Sequence, residues 1–202
     1  MHVLILFEFV VASIIKILIG LTVLLMILRL IVNLADLNPF GTIALNIRRL
    51  SDPLVYPFRR QLIGFGADPK YAPIIAILVI ILAGYFGLLF IDAVIGTIGG
   101  VVAALAVPAP MAVLGYTLYG LLAIYKLLIF VRIIVSWGGG GSRNRFVRFL
   151  VRVTDPMLEP LRRMIPPIGG FDISPIIAIL VIMLFQAAIA GTLLRGFSAE
   201  YF

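Results

Sequence analysis

The sequence predicts an all-α membrane protein: four transmembrane helices arranged as two parallel-repeat helical hairpins, each with a basic amphipathic cytoplasmic elbow. Composition, four long apolar runs and an internal repeat predict it. Of 202 residues, 63% are hydrophobic and 12% charged, with a mean hydropathy of +1.21, against about half apolar and a quarter charged in soluble domains. In water such a chain would expose large apolar patches, whereas a bilayer acts as its solvent.

Apolar runs cover about 7–31, 73–91, 111–135 and 175–194. Each is long enough to cross about 30 Å of hydrocarbon as a helix. The N-terminus lacks the basic region of a cleaved signal peptide, and Lys16 interrupts its apolar stretch, so the first run reads as a retained span. The second and fourth runs carry no charge. The first contains Lys16 and Arg29, the third Lys126 and Arg132, and both arginines sit at C-terminal ends where they read as interface anchors reaching the headgroups. Lys16 either pairs with Glu8 or Asp92 or snorkels; Lys126, about 9 Å deeper than Arg132, is expected to face a helix interface.

The first connection holds Arg48, Arg49, Arg59, Arg60 and Lys70, and the third holds Arg143, Arg145, Arg148, Arg152, Arg162 and Arg163. The 92–110 connection has no Lys or Arg. The positive-inside rule therefore places the two basic loops in the cytoplasm and both termini, with the 92–110 connection, on the outer side. Apolar and Gly-rich, the 92–110 connection either lengthens the second span, dips into the interface or packs on neighbours.

An offset of 103 residues superposes Arg29 on Arg132, Ser51-Asp52-Pro53 on Thr154-Asp155-Pro156, Pro57 on Pro160, and Arg59-Arg60 on Arg162-Arg163. After a one-residue slip, Pro-Ile-Ile-Ala-Ile-Leu-Val-Ile occurs from Pro73 and again from Pro175. Apolar bias cannot set those polar marks in register, so the chain divides into repeats at 1–100 and 111–202 joined by 101–110. Each half contains two spans, so the halves share one orientation, unlike inverted transporter repeats.

In the second basic loop, Phe146, Phe149, Leu150 and Val153 alternate at helical spacing with Arg145, Arg148 and Arg152, the pattern of a helix lying in the headgroup layer. Ile43, Ile47, Leu50 and Leu54 against Arg48 and Arg49 form a weaker copy. Ser51-Asp52 and Thr154-Asp155 read as N-caps followed by Pro53 and Pro156 at the first helical position. Pro57 and Pro160 then kink or stop the helix within about a turn. The result is a basic elbow, Asp-Pro-x-x-x-Pro-x-Arg-Arg, written twice. Its arginines either hold topology and touch lipid phosphates or form a docking surface for a partner or cofactor.

Chemistry-bearing sets are scarce. The chain has no Cys and one His, His2, so no metal or cofactor site is expected, and no Ser-His-Asp set or paired intramembrane carboxylates point to an enzyme. A phosphate-cradling Gly-x-x-x-x-Gly-Lys loop is absent, and no nucleic-acid contact is inferred. Gly115-Tyr-Thr-Leu-Tyr-Gly120 lacks the setting of a carbonyl filter, and Gly96-Thr-Ile-Gly-Gly100 fits close helix packing.

The elbows carry a resemblance. Arg132-Ile-Ile-Val-Ser-Trp137, Thr154-Asp-Pro-Met-Leu-Glu-Pro-Leu-Arg-Arg163, Ile165-Pro-Pro-Ile-Gly-Gly170 and Asp172-Ile-Ser-Pro175 make the chain similar to the YggT (YlmG) family of small bacterial and plastid membrane proteins. Arg29, Asn38-Pro-Phe40, Ser51-Asp-Pro53, Pro57 and Arg59-Arg60 match in the first half. Gly64-Phe-Gly66 departs from the Pro-Pro-x-Gly-Gly turn, and Gly138-Gly-Gly-Gly-Ser142 stands where an Asn-Pro element is expected. The resemblance implies roles linked to plastid cytochrome haem assembly, division and nucleoid organisation, or osmotic tolerance with potassium handling; with His2 as its sole His, this chain would serve the first only as a scaffold. The expected function is a non-enzymatic organiser or assembly factor whose Arg59, Arg60, Arg162 and Arg163 engage anionic lipid or an acidic membrane protein partner. The alternative is an oligomeric ion-translocation component acting through Lys16 or Lys126 in potassium or osmotic balance.

Overall fold

A computed structural model describes residues 2–35, 41–64, 66–107, 109–137, 144–165 and 172–195. These residues form six α-helices and no strand: α1 (His2–Leu34), α2 (Thr42–Gly64), α3 (Ala72–Ala106), α4 (Pro110–Trp137), α5 (Arg145–Met164) and α6 (Ser174–Thr192). A one-turn 3-10 helix, Pro69–Tyr71, precedes α3. Four helical stretches, Leu6–Leu34, Pro69–Ala106, Pro110–Ser136 and Ser174–Thr192, are long and apolar enough to cross a membrane. Helices suit hydrocarbon because each satisfies its own backbone hydrogen bonds.

The 92–110 connection resolves into a longer helix. α3 continues to Ala106 over 35 residues, about 52 Å at the α-helical rise. Three residues separate it from α4, and Pro110 stands at the first helical position of α4, where its missing N–H costs nothing. Glycines let α3 and α4 approach: a Cβ on Gly100 would strike the Tyr116 ring, and one on Gly120 would come within 2.8 Å of the Thr97 side chain. Gly96, of the same small-residue run, faces open space.

The chain divides into two compact units. In the unit of residues 11–86 and 134–140, Met26, Val55, Ala72 and Ala76 form a buried cluster flanked by Leu25, Phe58, Leu62, Ile77 and Ile80. Small residues at 72 and 76 leave room there for the side chains of α1 and α2. In the unit of residues 1–10, 87–133 and 141–202, Ala104, Ala112, Tyr116 and Leu194 cluster, and α5 packs on α6 with Leu150 and Leu158 fully buried.

Both Asp-Pro elements depart from their expected place. Pro53 and Pro57 lie inside α2, and Pro156 and Pro160 lie inside α5, so neither Asp52 nor Asp155 caps a helix start. Each proline removes one backbone donor. The helix runs on because its inward face, Ser51 and Val55 in α2 and Thr154 and Leu158 in α5, is buried, and tertiary packing outweighs local propensity. The hydroxyls turn back onto their own helices, Ser51 to the Ile47 carbonyl and Thr154 to the Leu150 carbonyl, each at 2.7 Å. Arg143, Phe65, Pro108 and residues 38–40, 138–142 and 166–170 lie outside the described residues, as does the His2 side chain.

Candidate functional site

Each basic helix is clasped to the preceding span by an arginine and an aspartate. Arg29 of α1 is buried and donates through Nη2 to Asp52 Oδ1 of α2 at 2.8 Å. Arg132 of α4 places Nη1 2.7 Å from Asp155 Oδ1 of α5 and donates to Thr154 Oγ1 at 2.6 Å. The Tyr125 hydroxyl adds a bond to the Val153 carbonyl at 3.1 Å. Both aspartates follow their arginine by 23 residues, so the pairs keep the 103-residue offset. Each arginine thus has a carboxylate partner on the following helix. A guanidinium near the end of a span is costly to desolvate, and a carboxylate on the next helix offsets that cost.

Carboxylates engage other expected contact residues in α5. Arg162 Nε donates to Asp172 Oδ2 at 2.7 Å and its Nη1 lies 3.7 Å from Asp155 Oδ1. Asp172 Oδ1 accepts the Ser174 N–H at 3.0 Å, at the start of α6. Burial acts to raise the Asp172 carboxyl, but hydrogen bonds from Arg162 and Ser174 and the Arg162 charge together hold it below the ordinary carboxylate value. Arg163 donates to Glu159 one turn back, at 3.3 Å. In α2, by contrast, Arg49, Arg59 and Arg60 are exposed, and among the described residues none of them forms an ion pair.

At about 100° per residue, the surface of α5 separates into three strips. Leu150, Thr154 and Leu158 are buried; Arg145, Arg148, Arg152 and Arg163 are exposed along a second line; Phe146, Phe149 and Met164 are exposed along a third. α2 repeats the buried line, but Leu45, Tyr56 and Ile63 join Ile43, Leu50 and Leu54 on its exposed surface and blur the others.

Within the spans, the two lysines differ. Lys16 is exposed on α1 and forms no ion pair among the described residues. Lys126 is 7% exposed and its Nζ donates to Gln186 Oε1 of α6 at 2.8 Å, while Gln186 Nε2 donates to the Tyr119 carbonyl at 3.1 Å. Sequence reasoning passed over Gln186; a lone amide in a 19-residue apolar helix was its available signal. It also assigned Asp52 and Asp155 to caps, although their constant spacing from Arg29 and Arg132 was readable. No group of three or more His, Cys, Asp or Glu among the described residues is placed to hold a metal.

Comparison with known proteins places these features in context. A family model described as CCB3/YggT matches residues 111–193, the stretch holding Arg132, Asp155 and Asp172. An uncharacterized protein of Pseudomonas aeruginosa is 28% identical over 86% of this chain and 85% of its own length. The uncharacterized protein YggT of Escherichia coli K12 is 29% identical over 77% of this chain and 74% of its own. The uncharacterized protein ycf19 of Guillardia theta is 34% identical over 31% of this chain and 70% of its own. No solved structure matches.

Proposed function

Because this chain belongs to the CCB3/YggT family, whose members matched here bear no enzymatic names, we propose that it is a non-enzymatic membrane organiser whose basic helices lie on the anionic cytoplasmic leaflet of the bacterial inner membrane. The carrying observation is the surface of α5. A strip of exposed arginines runs beside a strip of exposed Phe146, Phe149 and Met164. This suits a headgroup layer, where guanidiniums meet phosphates while aromatic rings enter the acyl boundary. The clasp at Arg132 holds this helix to its span, so the surface is presented in one orientation. An acidic membrane protein partner would meet the arginines but leave the aromatic strip unexplained.

Spin-labelled lipids in proteoliposomes test the proposal. Wild type enriches phosphatidylglycerol over phosphatidylcholine in its motionally restricted shell, and R145Q/R148Q/R152Q lowers that enrichment with helicity and insertion unchanged. Each arginine contributes up to about 1 kcal/mol near a negative leaflet. Equal enrichment in wild type and variant overturns the reading.

One observation favours ion translocation as a second reading: Lys126 carries an ammonium group into the buried interior of a span. That reading requires potassium flux in liposomes under an imposed potential, altered by Lys126→Met. Flux equal to that of an inactive membrane protein removes it.

A further inference from the structure

The clasp between α1 and α2 holds more positive charge than the protein neutralises. Arg29 is 6% exposed and spends one Nη2 hydrogen on Asp52, yet its Nε and Nη1 are buried without a hydrogen-bond partner, as is Nε of Arg48. Arg48 and Arg59 lie near enough for their charges to act on Arg29, and among the described residues Asp52 is the one carboxylate that does so. Three guanidiniums thus gather where one carboxylate acts on Arg29. Buried donors are nearly always satisfied in folded proteins, so several unpaired guanidinium donors at one place point to an acceptor from outside the chain.

The clasp between α4 and α5 supplies the internal comparison. There Arg132 and Arg162 face Asp155 and Asp172, two cations to two carboxylates; Thr154 Oγ1 and the Val151 carbonyl accept the Arg132 Nη1 hydrogens, and Asp155 Oδ1 stays in ion-pair contact without a hydrogen bond. The repeat accounts for the difference. At the 103-residue offset Arg48 corresponds to Val151, and after the one-residue slip Lys70 corresponds to Asp172. One clasp gains a cation and lacks an anion relative to the other.

We propose that Arg29, Arg48 and Arg59 form a discrete site for the phosphate group of an anionic phospholipid. Guanidinium forks match phosphate oxygens in geometry and charge. Arg29 lies five residues before the end of α1, about 7.5 Å along the helix, a depth at which a headgroup phosphate meets the end of a span. Exposed Leu28 and Ile31 on α1 and Leu50 and Leu54 on α2 provide apolar surface for acyl chains. This site rests on the proposed function insofar as α2, like α5, lies at a leaflet.

Native mass spectrometry of the full chain released from detergent with added phosphatidylglycerol tests it. Wild type retains one lipid, and R48Q and R59Q each bind it about tenfold or more weakly, the range for a lost charge-assisted hydrogen bond. Both variants leave the Arg29–Asp52 pair in place, so folding is preserved. R49Q/R60Q removes two charges from α2 at positions whose charges do not act on Arg29, and keeps the lipid. Equal retention by wild type, R48Q and R59Q overturns the site, as does equal loss in R49Q/R60Q. Displacement of the lipid by millimolar inorganic phosphate overturns its assignment to a headgroup. The R145Q/R148Q/R152Q variant separates the two proposals, because it loses general anionic enrichment while the retained lipid stays bound.

Discussion

Replacing Gln186 tests whether the buried Lys126 ammonium depends on one amide. In Gln186→Leu, Nζ loses its acceptor at 2.8 Å while the lysine stays buried, and breaking one side of a buried charged contact costs about 3 kcal/mol. Lys126→Met removes the charge and leaves the Gln186 amide with its bond to the Tyr119 carbonyl, at a cost of about 1 kcal/mol, typical of an interhelical hydrogen bond in a membrane. In the double variant both groups become apolar at similar volume, and stability returns to within about 1 kcal/mol of wild type. The double-mutant cycle therefore carries a coupling of about 3 kcal/mol. Unfolding of the purified protein in mixed micelles of rising sodium dodecyl sulfate content, followed by far-ultraviolet circular dichroism, measures all four species. A Gln186→Leu cost below that of Lys126→Met, or additive single effects, refutes the reasoning and means that the lysine gains its stability elsewhere.

Three further outcomes follow from the geometry. Gly100→Ala forces a methyl group into the Tyr116 ring, whereas Gly96→Ala meets nothing within 4 Å; the first destabilises by about 1–3 kcal/mol and the second leaves the unfolding midpoint in place. The Asp172 carboxyl is held below its ordinary value, so its contribution is present above the unfolded carboxylate pKa of about 4 and lost as pH falls through the lower folded value. Melting midpoints measured from pH 6 downward therefore fall more steeply for wild type than for Asp172→Asn, and parallel curves count against the Arg162–Asp172 contact. Asp155→Asn weakens contacts to both Arg132 and Arg162, whereas Asp52→Asn weakens one contact, to Arg29. Proteolytic release of α5 accordingly accelerates in the first variant more than that of α2 in the second.

The fate of the prolines illustrates where local reading ends. Asp-Pro after a polar residue is a sound start signal, and Pro four residues later is a sound stop. The helices override both because burial of Ser51, Val55, Thr154 and Leu158 rewards continuity over a longer stretch than any one proline interrupts. Similarly, the glycines of 96–100 signal close packing, and a Cβ at Gly100 would meet the Tyr116 ring while one at Gly96 would meet nothing within 4 Å. Arg162 and Arg59 stand 103 residues apart in matching sequence contexts, yet Asp172 engages Arg162, a difference written in a residue ten positions away, just before α6.

What the sequence alone determined was the class, the four apolar spans and the two basic segments, together with the equal spacing of Arg29 from Asp52 and of Arg132 from Asp155. Those properties follow from run length, charge and spacing along the chain, which are one-dimensional. The tertiary structure decided which charges meet. Arg29 and Asp52 are 23 residues apart, and Lys126 and Gln186 are 60 apart; contact at such separations depends on where one helix crosses another. It also decided that α3 continues to Ala106 and that one clasp is neutral while the other holds spare donors. The physical reason is the same in each case: the energy of a charge depends on the groups that surround it after packing, and neighbours in sequence do not specify them.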